Sequence, residues 1–415
     1  MTHAALFPEL AEIDASAADE NRMDFSKVPA KAAVYLLVGR NEAAEEQPVL
    51  LATVGDLRSA LKNRLADTPP DAKSKRINYG TLCTRVYYRR VDSSFAANYW
   101  YARAAEELFP ATAKALIPWR DSWWVAVEKT GTFPRFRKTT DLSEPSLAYV
   151  GPISDKHAAN RYIELLEDLF DLCRYHNILV QAPHGKACAY KEMGKCPAPC
   201  DGSISLVSYR EQIDAALGFA AGTTRAAWRA QTETAMKHAA AEMQFERAGR
   251  IKQRLARADA VNTYHFAHVR PLEDFSFLTL QPGKGKPWIE PWVMTHGQIE
   301  CLPQFNVKTL PEAAEALAQK CRQIAMEPAP GSMDRSVIRQ MALAAHHLFK
   351  GESDHGIWLR ASEVRTRGPA AVVEAVERLR EKKASKPMTE QATDTLAPGE
   401  SDEPAESEPH SNPSV

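Results

Sequence analysis

Four of the chain's seven cysteines, Cys173, Cys188, Cys196 and Cys200, fall in the spacing C-x14-C-x7-C-x3-C. The last three lie in CAYKEMGKCPAPC, where Pro197 and Pro199 stiffen the loop. Cysteines scattered at random seldom crowd in this way. Four thiolates converging from a loop suit either an all-cysteine zinc site or an iron–sulfur cluster. The competing explanation is a set of ordinary buried thiols. Free or metal-bound thiols imply a reducing compartment, and no secretory segment is seen at the acidic N-terminus. No apolar stretch approaches the roughly 20 residues that cross a bilayer. A soluble, cytoplasmic protein with no membrane partner is expected.

The chain has 415 residues, 44% of them hydrophobic, enough for two or three cores. AAVYLLV (32–38) and PVLLATV (48–54) read as a strand hairpin across a polar loop. DLRSALKNRLAD then has Leu57, Leu61 and Leu65 four apart, opened by Asp56 as N-cap. TRVYYRRV is a further strand, and RDSWWVAVEKTGTFPRFRKTT another hairpin. Beyond the cysteines come helices from Ser208 to about Ala260, a β-rich patch, and helices at 311–326, 333–349 and 369–382. The acidic, alanine-rich residues 1–30 read as loose or as a peripheral helix. Residues 386–415 set seven carboxylates against Lys386, a local −6, and too little apolar surface to fold. With a chain total of −1, the remainder carries +5.

The run YVGPISDKHAANRYIELLEDLFDLC followed by CAYKEMGKCPAPCDGSIS resembles the middle of UvrC excinuclease subunits. In that family four cysteines here ligate iron, so the resemblance favours a [4Fe-4S] cluster over zinc. Downstream, AAAEMQFERAGRIKQRL resembles the UVR motif through which UvrC-type and UvrB-type proteins associate. Phe245 and Glu246 fall at its signature pair, which makes a UvrB-type protein the implied partner. Lys252 and Gln253 replace the usual Arg-Asp pair, and Gly249 sits where alanine is common. From periodicity alone the segment is an αα-hairpin, with Trp228, Ala235, Met236, Ala239 and Met243 on one face and Phe245, Ala248, Ile251 and Leu255 on the next.

The resemblance also implies an α+β multidomain chain. A GIY-YIG nuclease-like α/β domain is expected at 31–145, a Cys-rich helical domain at 146–207 and the UVR hairpin at 208–260. A C-terminal α/β region of unknown role fills 261–383, and a disordered acidic tail 384–415. Ala33, Val34 and Tyr35 resemble the first nuclease motif, with Tyr35 as general base, and Arg58 matches the helix arginine that steadies the phosphate. The second motif departs: Leu51 or Thr53 stands where a tyrosine is expected, and the metal-binding glutamate projects onto Trp100 to Ala102, with Glu106 and Glu107 a turn later. Without a carboxylate for Mg²⁺ or Mn²⁺ such a site loses several kcal/mol of transition-state stabilisation. A weakened or inactive nuclease is expected. In residues 262–383 there is no convincing carboxylate set for a second incision site.

Lys73, Lys75, Arg76, Arg89 and Arg90, interleaved with tyrosines, are the candidate DNA contacts, against the plainer reading of a solvated face. Two functions follow: a DNA-binding repair protein of the nucleotide excision type with one endonuclease site, or a catalytically inactive adaptor of a repair complex.

Overall fold

The computed structural model describes residues 3–14, 23–66, 77–128, 130–324, 333–351 and 355–385. The chain divides into two compact units at Val91/Asp92, inside the stretch expected as one nuclease-like domain. The tail expected from 384 lies outside the described residues from 386 onward.

The first unit is an antiparallel sheet of order β1-β4-β2-β3, with β1 Glu9–Glu12, β2 Ala33–Arg40, β3 Glu46–Val54 and β4 Cys83–Arg90. Helix α1, Leu57–Leu65, starts as expected: the Asp56 carboxylate accepts from the Ser59 amide at 3.1 Å. Its Leu57, Leu61 and Leu65 meet Ala33, Tyr35 and Leu37, the alternate residues of β2, in one core. Every β2 residue from Ala33 to Val38 is buried, so the strand reads as an unbroken apolar run. One expectation is corrected here. Glu9–Glu12 is an edge strand paired with Arg85–Tyr88, which four residues of mixed polarity could not announce.

In the second unit, α2 (Ser94–Leu108) precedes a sheet of order β6-β5-β7-β8, made of β5 Trp123–Glu128, β6 Arg137–Thr139, β7 Leu147–Ile153 and β8 Arg270–Pro271. Gly151 lets β7 approach β5: a Cβ there would lie 2.6 Å from the Trp124 ring. Helix α3, Lys156–Phe170, is capped by Asp155, which accepts from the Ala158 amide at 2.8 Å. It buries Tyr162, Leu166 and Leu169 against Tyr209, Ile213 and Phe219 of α4, Leu206–Ala221. Then come α5 Arg225–Ala241 and α6 Phe245–Ala258, an antiparallel pair.

The remainder forms a further sheet of order β11-β10-β9-β13, from β9 Phe277–Pro282, β10 Trp288–Thr295, β11 Gln298–Cys301 and β13 Ile357–Arg360, with β12 Phe305–Asn306 also on β10. Helices α7 Leu310–Ile324, α8 Arg335–Leu348, α9 Ala361–Arg367 and α10 Pro369–Ser385 accompany it. Three of these helices were legible in the sequence. Strand β13 and α9 were not, because β13 is four residues long and pairs with β9 across more than seventy intervening residues.

Candidate cluster lobe and hairpin

Helix α3 ends at Asp171, which adopts a left-handed conformation (φ 54°) and turns the chain towards Cys173. Cys173, Cys196 and Cys200 are buried at 8%, 7% and 2% exposure, while Cys188 is half-buried. The Cys173 amide donates to the Tyr209 hydroxyl at 3.2 Å, tying the first cysteine to α4. The Cys173 thiol donates to the Tyr175 carbonyl at 3.5 Å, and its electrostatic interplay with Cys196 raises the pKa of Cys173 and favours the Cys196 thiolate. The Arg174 guanidinium adds to the latter effect. Burial holds the Cys200 thiol up, with Cys196 and Cys188 close enough to act on it too. The fold thus brings the four expected cysteines into one electrostatic neighbourhood, although among the described residues no set of three or more His, Cys, Asp or Glu side chains is gathered tightly enough for a metal ion. Cys83 and Cys321, by contrast, are isolated and buried, with thiols pushed up to about 11. Four soft donors, three of them shielded and one favoured as thiolate, are a donor set that thiophilic iron or zinc would accept.

The hairpin is braced at its base. Trp228 packs edge-on against Phe219 (ring centroids 5.0 Å) and beside Phe170 (6.1 Å). Ala239, Leu255 and Ala258 complete a thin buried stripe. Arg229 reaches Asp259 at 2.6 Å across the open ends. On the lobe side, Asp168 accepts from Arg174, beside the first cysteine, and pairs with Arg257 of α6 at 2.5 Å. Asp171 pairs with Arg254 at 3.6 Å. Sequence reading missed this bracket, since its partners stand more than eighty residues apart and no local pattern marks them.

At the far end the turn passes through Met243 (φ 58°), 74% exposed. Phe245 opens α6 and is 65% exposed, and Glu246 beside it makes no ion pair among the described residues. The face expected to hold Ala235 and Met243 is corrected: both are exposed, because only one stripe of so narrow a pair meets the lobe. The apex therefore offers an aromatic and a thioether side chain to solvent.

The nuclease residues are placed differently. Tyr35 is fully buried in the first unit's core. Arg58 donates through Nε to the Val28 carbonyl at 2.8 Å and through Nη2 to the Ser26 carbonyl at 3.3 Å. Glu106, in the second unit, pairs with Arg339 at 2.9 Å. Of the candidate DNA contacts, Lys73, Lys75 and Arg76 lie outside the described residues. Arg89 donates to the carbonyls of Leu6 and Ala5, and Arg90 pairs with Glu9 at 2.7 Å. A polar cluster that sequence reading missed joins Glu46 to Arg85, to Tyr87 (3.0 Å) and to His3 (3.4 Å).

The cysteine-bearing lobe and the hairpin braced on it are the part of the chain where known relatives align. Residues 122–219 match the family model for the UvrC/Cho excinuclease middle domain. The chain is similar to UvrABC system protein C of Caulobacter vibrioides, 27% identical over 174 residues, covering 42% of this chain and 27% of that protein. Against the Salinispora arenicola protein of the same name it is 33% identical over 135 residues, 32% of this chain and 20% of the relative. Against that of Halobacterium salinarum it is 28% identical over 244 residues, 57% and 40%. The chain thus spans less than half the length of these curated relatives. No solved structure matches it. No described helix is long and apolar enough to cross a membrane.

Proposed function

We propose that this chain is a nucleotide excision repair protein of the UvrC kind that acts by binding rather than by cutting. In this reading Cys173, Cys188, Cys196 and Cys200 hold a [4Fe-4S] cluster, whose role is to cross-link the loop between α3 and α4. The hairpin, braced on the same lobe, presents Phe245 and Glu246 to a UvrB-type protein, and the complex engages DNA.

The observation that carries the reading is Phe245, held 65% exposed at the tip of a hairpin whose base is fixed by Trp228 and by two ion pairs. A buried Tyr35 and an Arg58 spent on backbone carbonyls support an adaptor over a nuclease, since a general base must reach the attacking water. Iron-replete protein should retain a UvrB-type protein in a pull-down and leave supercoiled and damaged duplexes uncut with Mg²⁺ or Mn²⁺. Metal-dependent nicking abolished by Tyr35→Phe would replace the adaptor with the endonuclease, and stoichiometric zinc without iron would replace the cluster.

A further inference from the structure

The corner where α4 gives way to α5 concentrates positive charge. Gly222 ends α4 with φ +86°, and a Cβ built there would lie 3.8 Å from both Arg225 Cζ and Arg270 Nη1. Two guanidinium groups therefore converge over one open point. Arg225 is clamped: Nε donates to the Phe219 carbonyl at 2.8 Å, and Nη2 to the Tyr162 hydroxyl and the Ala220 carbonyl, each at 2.9 Å. Its Nη1 has no partner among the described residues. The Arg270 side chain, on β8, donates to the neighbouring Val269 carbonyl, its one hydrogen bond among the described residues. The side chain of Arg360, the last residue of β13, has no hydrogen bond or ion pair among the described residues, and all three arginines are half-buried.

The surrounding charges do not cancel this set. Asp274 acts on both Arg270 and Arg360, and Glu363 on Arg360, but Glu363 is paired with Arg367 at 3.0 Å and Asp274 is exposed on the surface. Burial holds Arg270 below its usual range, and so do Arg360 and Arg225. His268 is likewise lowered by burial first, then by Arg360 and Arg270. Like charges held together half out of water cost stability unless something of opposite sign offsets them. Planar guanidinium forks match the oxygens of a phosphate in paired hydrogen bonds, and several around one point suit a group with more than one negative charge.

We propose that Arg225 and Arg270, drawn together over Gly222, form the core of a phosphate-binding site to which Arg360 adds charge, taking either a free phosphate group or a phosphodiester of nucleic acid. It does not depend on the repair role and would stand if that role failed. It also gives the C-terminal α/β region a task, since Arg360 comes from its sheet.

The test uses the full chain. At fixed ionic strength, replacing chloride by inorganic phosphate should raise the melting temperature of the wild type. Arg270→Gln and Arg360→Gln should each abolish that rise, and each should melt higher than wild type in chloride because a repulsion has been relieved. Arg225 is left intact because it holds backbone carbonyls. Should a glutamine variant fold poorly, Arg270→Lys keeps the charge and must still bind phosphate several-fold more weakly, since lysine offers no fork. With a short DNA duplex as probe, a phosphodiester source predicts about one unit less salt slope for each arginine removed. A free-phosphate source predicts unchanged DNA binding with the phosphate response lost. A wild type indifferent to both probes, or variants that respond as it does, would overturn the pocket.

Discussion

Replacing Phe245 by alanine separates a recognition residue from a core residue. Complete burial of a phenylalanine is worth about 1.5–3 kcal/mol. With 65% of the residue still exposed, the free chain has drawn on roughly a third of that, so Phe245→Ala should cost the fold about 0.5–1 kcal/mol. The unspent two thirds, about 1–2 kcal/mol, is what a partner groove gains by covering the ring, or about 5–30-fold in Kd. Calorimetric titration with a UvrB-type protein reads the second quantity, and thermal melting of the free chain reads the first. A drop in melting temperature like that of a core truncation, with unchanged affinity, would place Phe245 in the hairpin's own packing and refute the reasoning. Leu255, 7% exposed on the same helix, is the internal control.

Leu255→Ala should cost about 2–3 kcal/mol in stability, seen by denaturant melting, because it empties the stripe on which the hairpin rests. Asp168→Asn breaks contacts to Arg174 and Arg257 together and should loosen α6, read as faster amide exchange there and a loss of about 1–2 kcal/mol. Burial raises the Glu167 carboxyl to about 7, against the pull of Arg174. The folded state therefore holds its proton where the unfolded state has released it, so this group's contribution to stability falls as pH rises from about 4.5 to about 7. Glu167→Gln should flatten that part of the pH–stability curve, and an unchanged slope would assign it to other groups. Cys196→Ser should remove the broad absorbance near ~400 nm expected of anaerobically purified protein and lower its melting temperature together with its iron content. Retention of full colour would exclude Cys196 as a ligand.

Local elements and the crowding of four cysteines are legible along the chain. Asp56 announces its helix because a cap is a contact within three residues. The spacing of Leu57, Leu61 and Leu65, or the apolar run through β2, likewise fixes a buried face without knowledge of what covers it. Four crowded cysteines need no tertiary information to be noticed. What Tyr35 does was a different matter: the same apolar neighbours that mark β2 as a strand bury its ring, and burial on both faces depends on the whole sheet. The ion pairs from Asp168 and Asp171 to α6, the pairing of β13 with β9, and the convergence of Arg225 and Arg270 join residues far apart in the chain. Charge pairs and charge crowding act through space over a few ångströms, and sequence distance carries no trace of them, so only the tertiary structure could decide which arginines are partnered and which share a corner.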